Sequence, residues 1–492
     1  MLLAFKSPRL LYDKYKKRKS YKLPNIVNNI NGDFMIYKKL KKEFKNTSDL
    51  KYKKINKVNL VYLESLCSSN KINDYILKNL TMNKKHIMLR DNISGPSVVY
   101  LEDYKSISFY LLNGFALIYD DKDMLVCEVK GDLYRSVNIP TSEPSVNGPK
   151  DSFNESILMN LGLIKRRVKA TNLVNEDFIL GKRTKNKVSL LYIEDVALKK
   201  HVDSVRDKIN SIDVDDIIDI ENLLTMMEDH KGPMPTIMKS ERPDRVASSL
   251  MEGKIVLIAD NSPYALIMPA FLADFINPES DKYVKSVNVN SLKIIRFLCF
   301  CLTIFLPAIY ISIINYNPET IPLKLLLSFQ AGRSGVPFPS AFEAIFMIIL
   351  CTVLRESDIR FPSTYGSSIS ILGALILGEA AVSANIASPI MIIIVGITFI
   401  TGLVFSSGEI ISGLRYYRFM VLILASVLGL YGLLLGFFIV LIHLSDIKTL
   451  GEPYLYPIAP ADKTYFFKTL FKGKTDKKRS KLLSNNLNKV NR

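Results

Sequence analysis

The sequence predicts an α/β cytoplasmic N-terminal region of two subdomains followed by an all-α polytopic membrane domain. Three observations carry this reading. Strand-like and helix-like runs alternate between about Ile55 and Met268, the pattern expected when helices cover a sheet. Phe297 to Pro318 and Met420 to Ile442 contain no Asp, Glu, Lys or Arg, and each exceeds the roughly 18 apolar residues that mark a membrane span. The net charge of +18 sits at the two ends: residues 1–57 hold 17 Lys/Arg against 4 Asp/Glu, and residues 461–492 hold 10 against 2. Basic ends around a near-neutral body fit an anionic membrane surface, whereas nucleic-acid binding needs a basic face on a folded domain, so no nucleic-acid partner is expected.

Residues 1–57, rich in Lys, Tyr and Asn and without periodicity, read as a basic, poorly packed arm. Residues 58–145 read as the first α/β subdomain, in which Ser106 to Tyr119 and Met124 to Val129 are β-rich runs joined by Asp120-Asp121-Lys122, a hairpin. Residues 146–290 read as the second. Phe153, Ile157, Leu161 and Ile164 mark one face of a helix over Asp151 to Arg167. Lys187 to Ile193 is a strand, Val196 to Ile209 and Glu221 to Asp229 are helices, and Arg245 to Met251 is a helix ended by Gly253. Lys254 to Ala259 and Tyr264 to Met268 are apolar runs around the turn Asp260-Asn261-Ser262-Pro263, which completes a mixed sheet.

Residues 291–445 form the membrane domain, with about four spans: Ile294 to Ile314, Ile369 to Ala387, Ile390 to Phe405 and Met420 to Ile442. Leu323 to Gln330 and Phe342 to Leu354 are too short to cross and read as interfacial or re-entrant helices. Gly432 and Gly436 form a GxxxG that favours close helix contact. Residues 446–492 are a basic tail, and the positive-inside rule places both termini in the cytoplasm.

Five cysteines without metal spacing and four scattered histidines without HExxH imply no disulfide framework, no metal and no cofactor. No Gly-rich phosphate loop and no GxSxG is found, so no enzyme is expected.

Several strings are more specific than membrane-protein statistics require. They are Ser142-Glu143-Pro144, Asn147-Gly148-Pro149-Lys150-Asp151-Ser152-Phe153, Lys165-Arg166-Arg167, Gly181-Lys182-Arg183-Thr184, Glu241-Arg242-Pro243-Asp244 and Glu252-Gly253-Lys254. In the membrane half stand Arg333, Val336-Pro337-Phe338-Pro339, Glu343, Leu354-Arg355-Glu356, Arg360-Phe361-Pro362 and Gly373 to Ala381 with Glu379. In order and spacing they resemble the GerA family of spore germination proteins, A-type subunits of nutrient germinant receptors, over about Ser142 to Pro460. The resemblance implies a multi-pass protein of the spore inner membrane that works with B-type and C-type subunits and lipid. It also implies a homo-oligomeric, nutrient-gated ion channel, with nutrient sensed here or through a partner subunit. The residues alone leave open a secondary transporter or a non-conducting scaffold.

Glu379 inside an apolar segment is the first pore candidate, since an intramembrane carboxylate is costly without a function. Glu343, Arg355 and Glu356 are pore or ion-pairing candidates, and Pro337 and Pro339 fix a corner that could serve as a gating hinge. Lys165, Arg166 and Arg167, at a helix end, and Glu241 and Arg242 are candidates for contact with a neighbouring subunit.

Overall fold

The computed structural model describes residues 32–82, 89, 93–101, 103–120, 123–131, 140, 143, 147–360, 376–405, 408–462, 480 and 482–484. The chain divides into two units, one running to residue 136 with 158–177, the other comprising 137–157 and everything from 178 onward.

The first unit opens with α1 (Gly32–Glu43), β1 (Leu50–Ile55) and β2 (Val58–Leu63). Residues 32–57 are therefore no loose arm. Lys-rich as they are, they place Leu40, Phe44 and Leu50 in the core and turn their lysines outward, a half-buried pattern that composition conceals. Ile55 pairs with Val58 across a two-residue turn in which Asn56 has φ 54°, the left-handed geometry that such hairpins need. A helical stretch over 69–82 follows, then β3 (Val98–Tyr100), β4 (Phe115–Tyr119) and β5 (Met124–Glu128). The expected hairpin joins β4 to β5, but its first strand is shorter than predicted. Ile107–Leu111 is a helix instead of strand, because Ile107 and Leu111, one turn apart, both reach the core beside Leu40. The sheet runs β1-β2-β4-β5-β3 with antiparallel pairings. Alternate residues face opposite ways: Val61, Leu63, Leu117 and Val126 meet α1, while Leu60, Ala116, Ile118 and Leu125 meet Ile72, Ile76 and Leu80.

The next elements are α2 (Ile157–Arg167), β6 (Leu173–Leu180), β7 (Asn186–Ile193), α3 (Lys199–Ser211), α4 (Ile220–Met227) and β8 (Met238–Ser240). They continue with α5 (Pro243–Glu252), β9 (Ile255–Ala259) and β10 (Ala265–Met268). Pro243 stands in the first turn of α5, and Gly253, with φ 98°, ends the helix in a conformation open to glycine. The strand order β6-β7-β9-β10-β8 repeats that of the first sheet. Pairings β7–β9, β9–β10 and β10–β8 are antiparallel, where the sequence led to the expectation of a mixed sheet. The helices here lie between hairpins, not between parallel neighbours. Val188, Leu190, Leu257 and Leu266 pack under Val202, Val205 and Ile209 of α3 and Ile220 and Leu223 of α4. Each such fully buried side chain stabilises the fold by about 1.5–3 kcal/mol.

The helical part contains α6 (Ser286–Tyr316), α7 (Leu323–Arg333), α8 (Ser340–Arg360), helical residues 376–383, α9 (Pro389–Gly402) and α10 (Gly408–Asp446). Of these, α6 is long and apolar enough to cross a membrane, and α10 is so only when its 39 residues are taken as one stretch. Where a short helix was predicted over Phe342 to Leu354, α8 has 21 residues. The prediction stopped at charges that the helix carries through.

Met420 to Ile442 is not one straight span. Gly429 leaves helical geometry with φ 60° and ψ −134°, and a Cβ on Gly432 would lie 2.0 Å from the Leu424 carbonyl oxygen. Gly436 faces Val421, and the Tyr417 hydroxyl meets His443 Nδ1 at 2.6 Å. These contacts fold α10 back on itself as an antiparallel hairpin, with Gly432 and Gly436 allowing the limbs to touch. Tyr316 donates its hydroxyl to the Ser426 and Val427 carbonyls at 2.6 and 3.1 Å, which satisfies acceptors freed by the break.

Candidate functional site

In the second unit, several of the strings singled out in the sequence converge on the entrance to α6. Glu143 is buried, with its backbone N–H donating to Glu241 Oε1 at 3.0 Å. Its carboxylate accepts from Arg245 at 2.9 Å and from the Ser240 hydroxyl at 3.0 Å. Arg242 grips Asp244 with two hydrogen bonds of 3.0 and 2.7 Å, and Tyr283 donates its hydroxyl to the same carboxylate at 3.0 Å. Burial pushes the Asp244 carboxyl up, but the Arg242 guanidinium and the Tyr283 hydroxyl outweigh it and hold it below the usual carboxylate value. Burial and the Asp244 charge push the Tyr283 hydroxyl up to about 12, so it remains a donor. Gly148, at φ 103°, is needed because a Cβ there would stand 2.5 Å from the Tyr283 ring. Close by in sequence, Asp281 takes two hydrogen bonds of 2.5 and 3.0 Å from Arg296, inside α6.

Glu241 and Arg242 are thus 5% and 3% exposed and held internally. They are not surface groups for a neighbouring subunit, and that expectation is corrected. Lys165 is corrected likewise within the first unit, where it is buried in an ion pair with Asp49. Asp49 also accepts from the Ser65 backbone at 2.9 Å and the Ser65 hydroxyl at 2.7 Å. The adjacent Arg166 and Arg167 are half-buried, and Arg167 donates to the Leu163 carbonyl at 3.1 Å. A run of basic residues at a helix end looks uniform in sequence, and only the partner Asp49, far away in the chain, separates its first member from the others.

Among the apolar helices the two candidate carboxylates take opposite environments. Glu343, in the first turn of α8, is 1% exposed. Its Oε1 accepts from the Ser388 N–H and hydroxyl, both at 2.5 Å. Ser388 caps α9, so the carboxylate rests at a helix N-terminus, where the dipole favours negative charge. Arg333, at the end of α7, approaches Glu343 Oε2 at 4.0 Å, and the Tyr310 hydroxyl is buried nearby. Pro337 and Pro339 are exposed in the corner between α7 and α8, and the Pro339 carbonyl accepts the Glu343 N–H at 3.1 Å. Glu379, by contrast, is exposed and has no partner among the described residues.

Arg355 does not pair with Glu356, which points outward; it lies beside Arg415 and Arg418 of α10. Ser142, Pro144, Phe361-Pro362 and residues 369–375 fall outside the described residues. Sequence reasoning missed Ser388 as the Glu343 partner, although Ser-Pro before an apolar run is an N-terminal helix signature.

The profile of the Bacillus/Clostridium GerA spore germination protein family matches residues 38–482, well beyond the stretch that carried the resemblance at its N-terminal side. "Spore germination protein KA" of Bacillus subtilis (strain 168) is 32% identical over 411 residues, covering 82% of this chain and 76% of its own. "Spore germination protein B1" of the same strain is 32% identical over 408 residues, covering 81% and 84%. The crystal structure of the N-terminal domain of the A subunit of the Bacillus megaterium spore germinant receptor GerK3 aligns with 52% of this chain and 99% of its own length. The identity there is 26% and the TM-score 0.38. The chain belongs to the GerA family of spore germination proteins.

Proposed function

We propose that this chain is the A-type subunit of a nutrient germinant receptor in the spore inner membrane, working with B-type and C-type subunits, and that several copies surround an ion path opened when nutrient is sensed. The observation that carries the proposal is Glu379. It stands exposed and without a partner among the described residues, inside an apolar segment, and a carboxylate facing lipid there would be costly. A water-filled path ringed by copies of the same helix removes that cost, and a ring of carboxylates favours cations. Glu343 serves as an internal lock, tying α8 to the start of α9 through Ser388. The Pro337–Pro339 corner carries motion to that lock, and the buried network at Glu143, Arg242 and Asp281 carries motion into α6. Both termini face the cytoplasm, in line with the basic ends and with Leu483 buried beside Phe271 of the second α/β unit.

Spores carrying Glu379→Gln are expected to assemble normal receptor levels and release cations more slowly after nutrient is added. Pro337→Ala shifts the nutrient concentration needed. Normal nutrient-triggered cation efflux from a Glu343→Gln/Glu379→Gln double variant at normal protein level would overturn the proposal.

A further inference from the structure

We propose that Arg355 of α8, with Arg415 and Arg418 of α10, forms a binding site for a phosphoryl oxyanion. Arg355, Arg415 and Arg418 line one partly open pocket together with Thr303, Cys351 and Thr398.

Arg418 is 9% exposed, and its Nε has no hydrogen-bond partner among the described residues. Arg355 and Arg415 are half-buried and close enough to Arg418 to repel it. No carboxylate pairs with any of the three among the described residues. The nearby hydroxyls of Thr303, Thr352 and Thr398, which donate to the carbonyls of Cys299, Ile348 and Ile394 in their own helices, carry no charge to offset the cations.

A buried cation without a counter-charge is costly, and three together are costlier. The other buried arginines illustrate the rule, since Arg242 is matched by Asp244 and Arg245 by Glu143. A bound anion supplies the missing charge here. The forked donors of guanidinium match the oxygens of a phosphoryl group two at a time, which favours it over a spherical halide. The site also lies toward the soluble end of the helices. Arg415 is two turns from Gly408, and Gly413 touches Pro233 and Met234 of the second α/β unit. A phosphoryl group at that level comes either from an anionic phospholipid headgroup or from free phosphate.

The test uses the full receptor complex in two bilayers. In phosphatidylglycerol vesicles, native mass spectrometry counts retained lipid; in phosphatidylcholine vesicles, equilibrium dialysis measures bound radiolabelled inorganic phosphate. Binding in either arm, weakened about tenfold or more by Arg418→Gln and less by Arg418→Lys, supports the site, and the arm that responds names the source. Should Arg418→Gln fail to fold, the half-buried Arg415→Gln is expected to show the same loss. Unchanged binding in both variants, absence of binding in both arms, or a carboxylate of a second copy cross-linked to Arg418 would each overturn it.

Discussion

The two α/β sheets share one strand order and a local sequence echo, Leu60-Val61-Tyr62-Leu63-Glu64 against Leu190-Leu191-Tyr192-Ile193-Glu194, but they are closed differently. In the first, Cys67 bridges to Lys130, in the chain that directly follows β5. In the second, the equivalent residue Ala197 bridges to Ser484, near the end of the sequence. The chain after β10 enters Pro269, which has no N–H to offer, and Leu483 instead packs against Gly253, Phe271 and Tyr456. Segments beyond α10 hold the second sheet further. Thr449 donates to the Thr236 carbonyl at 2.9 Å, the Leu450 N–H donates to Asp229 at 3.0 Å, and Glu452 meets His201 at 3.1 Å. One scaffold is thus used twice, once closed by its own neighbouring chain and once clasped by what surrounds the apolar helices.

The sharpest way to break this comparison is to damage the first unit alone. Lys165→Met leaves Asp49 buried without its cation and is expected to cost about 3–5 kcal/mol, read as a lower thermal midpoint. Burial pushes the Asp49 carboxyl up, while Lys165 and Ser65 outweigh it and hold it below its ordinary 3.8. Because the folded value is depressed, the pair stabilises above about pH 4 and that contribution is lost as pH falls through the folded value. Lys165→Met should therefore flatten the acid limb of the stability profile.

Leu483→Ala is expected to cost about 2–3 kcal/mol and to increase hydrogen exchange in β9 and β10 while sparing β4 and β5; equal loss in both sheets would refute the different closure. Gly413→Val drives a side chain into the Pro233 carbonyl and Met234 Sδ, each 2.6 Å from a Cβ at that site. It should cost about 1–3 kcal/mol and alter the nutrient dose response. At the small end, Lys182→Ala removes an exposed 2.7 Å pair with Asp213 and should change stability by less than about 0.5 kcal/mol.

Much of the second unit was legible because its signals are local. Pro243 and Gly253 mark the ends of α5, and Asp260 to Pro263 separate two apolar strands. The family strings carried the assignment for the same reason. What stayed hidden depends on partners distant in the chain. Asp49 decides the role of Lys165, Ser388 that of Glu343, and the contact of Val421 with Gly436 turns an apparent span into a hairpin. Antiparallel order was equally invisible, because alternation of helix and strand is the same whichever way neighbours pair.

The most direct measurement is cation flux through this chain reconstituted in sealed vesicles with the B-type and C-type subunits proposed as its partners, with and without nutrient. The expected result is flux that starts on adding nutrient, falls in Glu379→Gln and persists in a variant that keeps the carboxylate, Glu379→Asp. Nutrient-triggered flux identical in wild type and Glu379→Gln, or no flux from a complex shown to bind nutrient, would contradict an ion path formed by this chain.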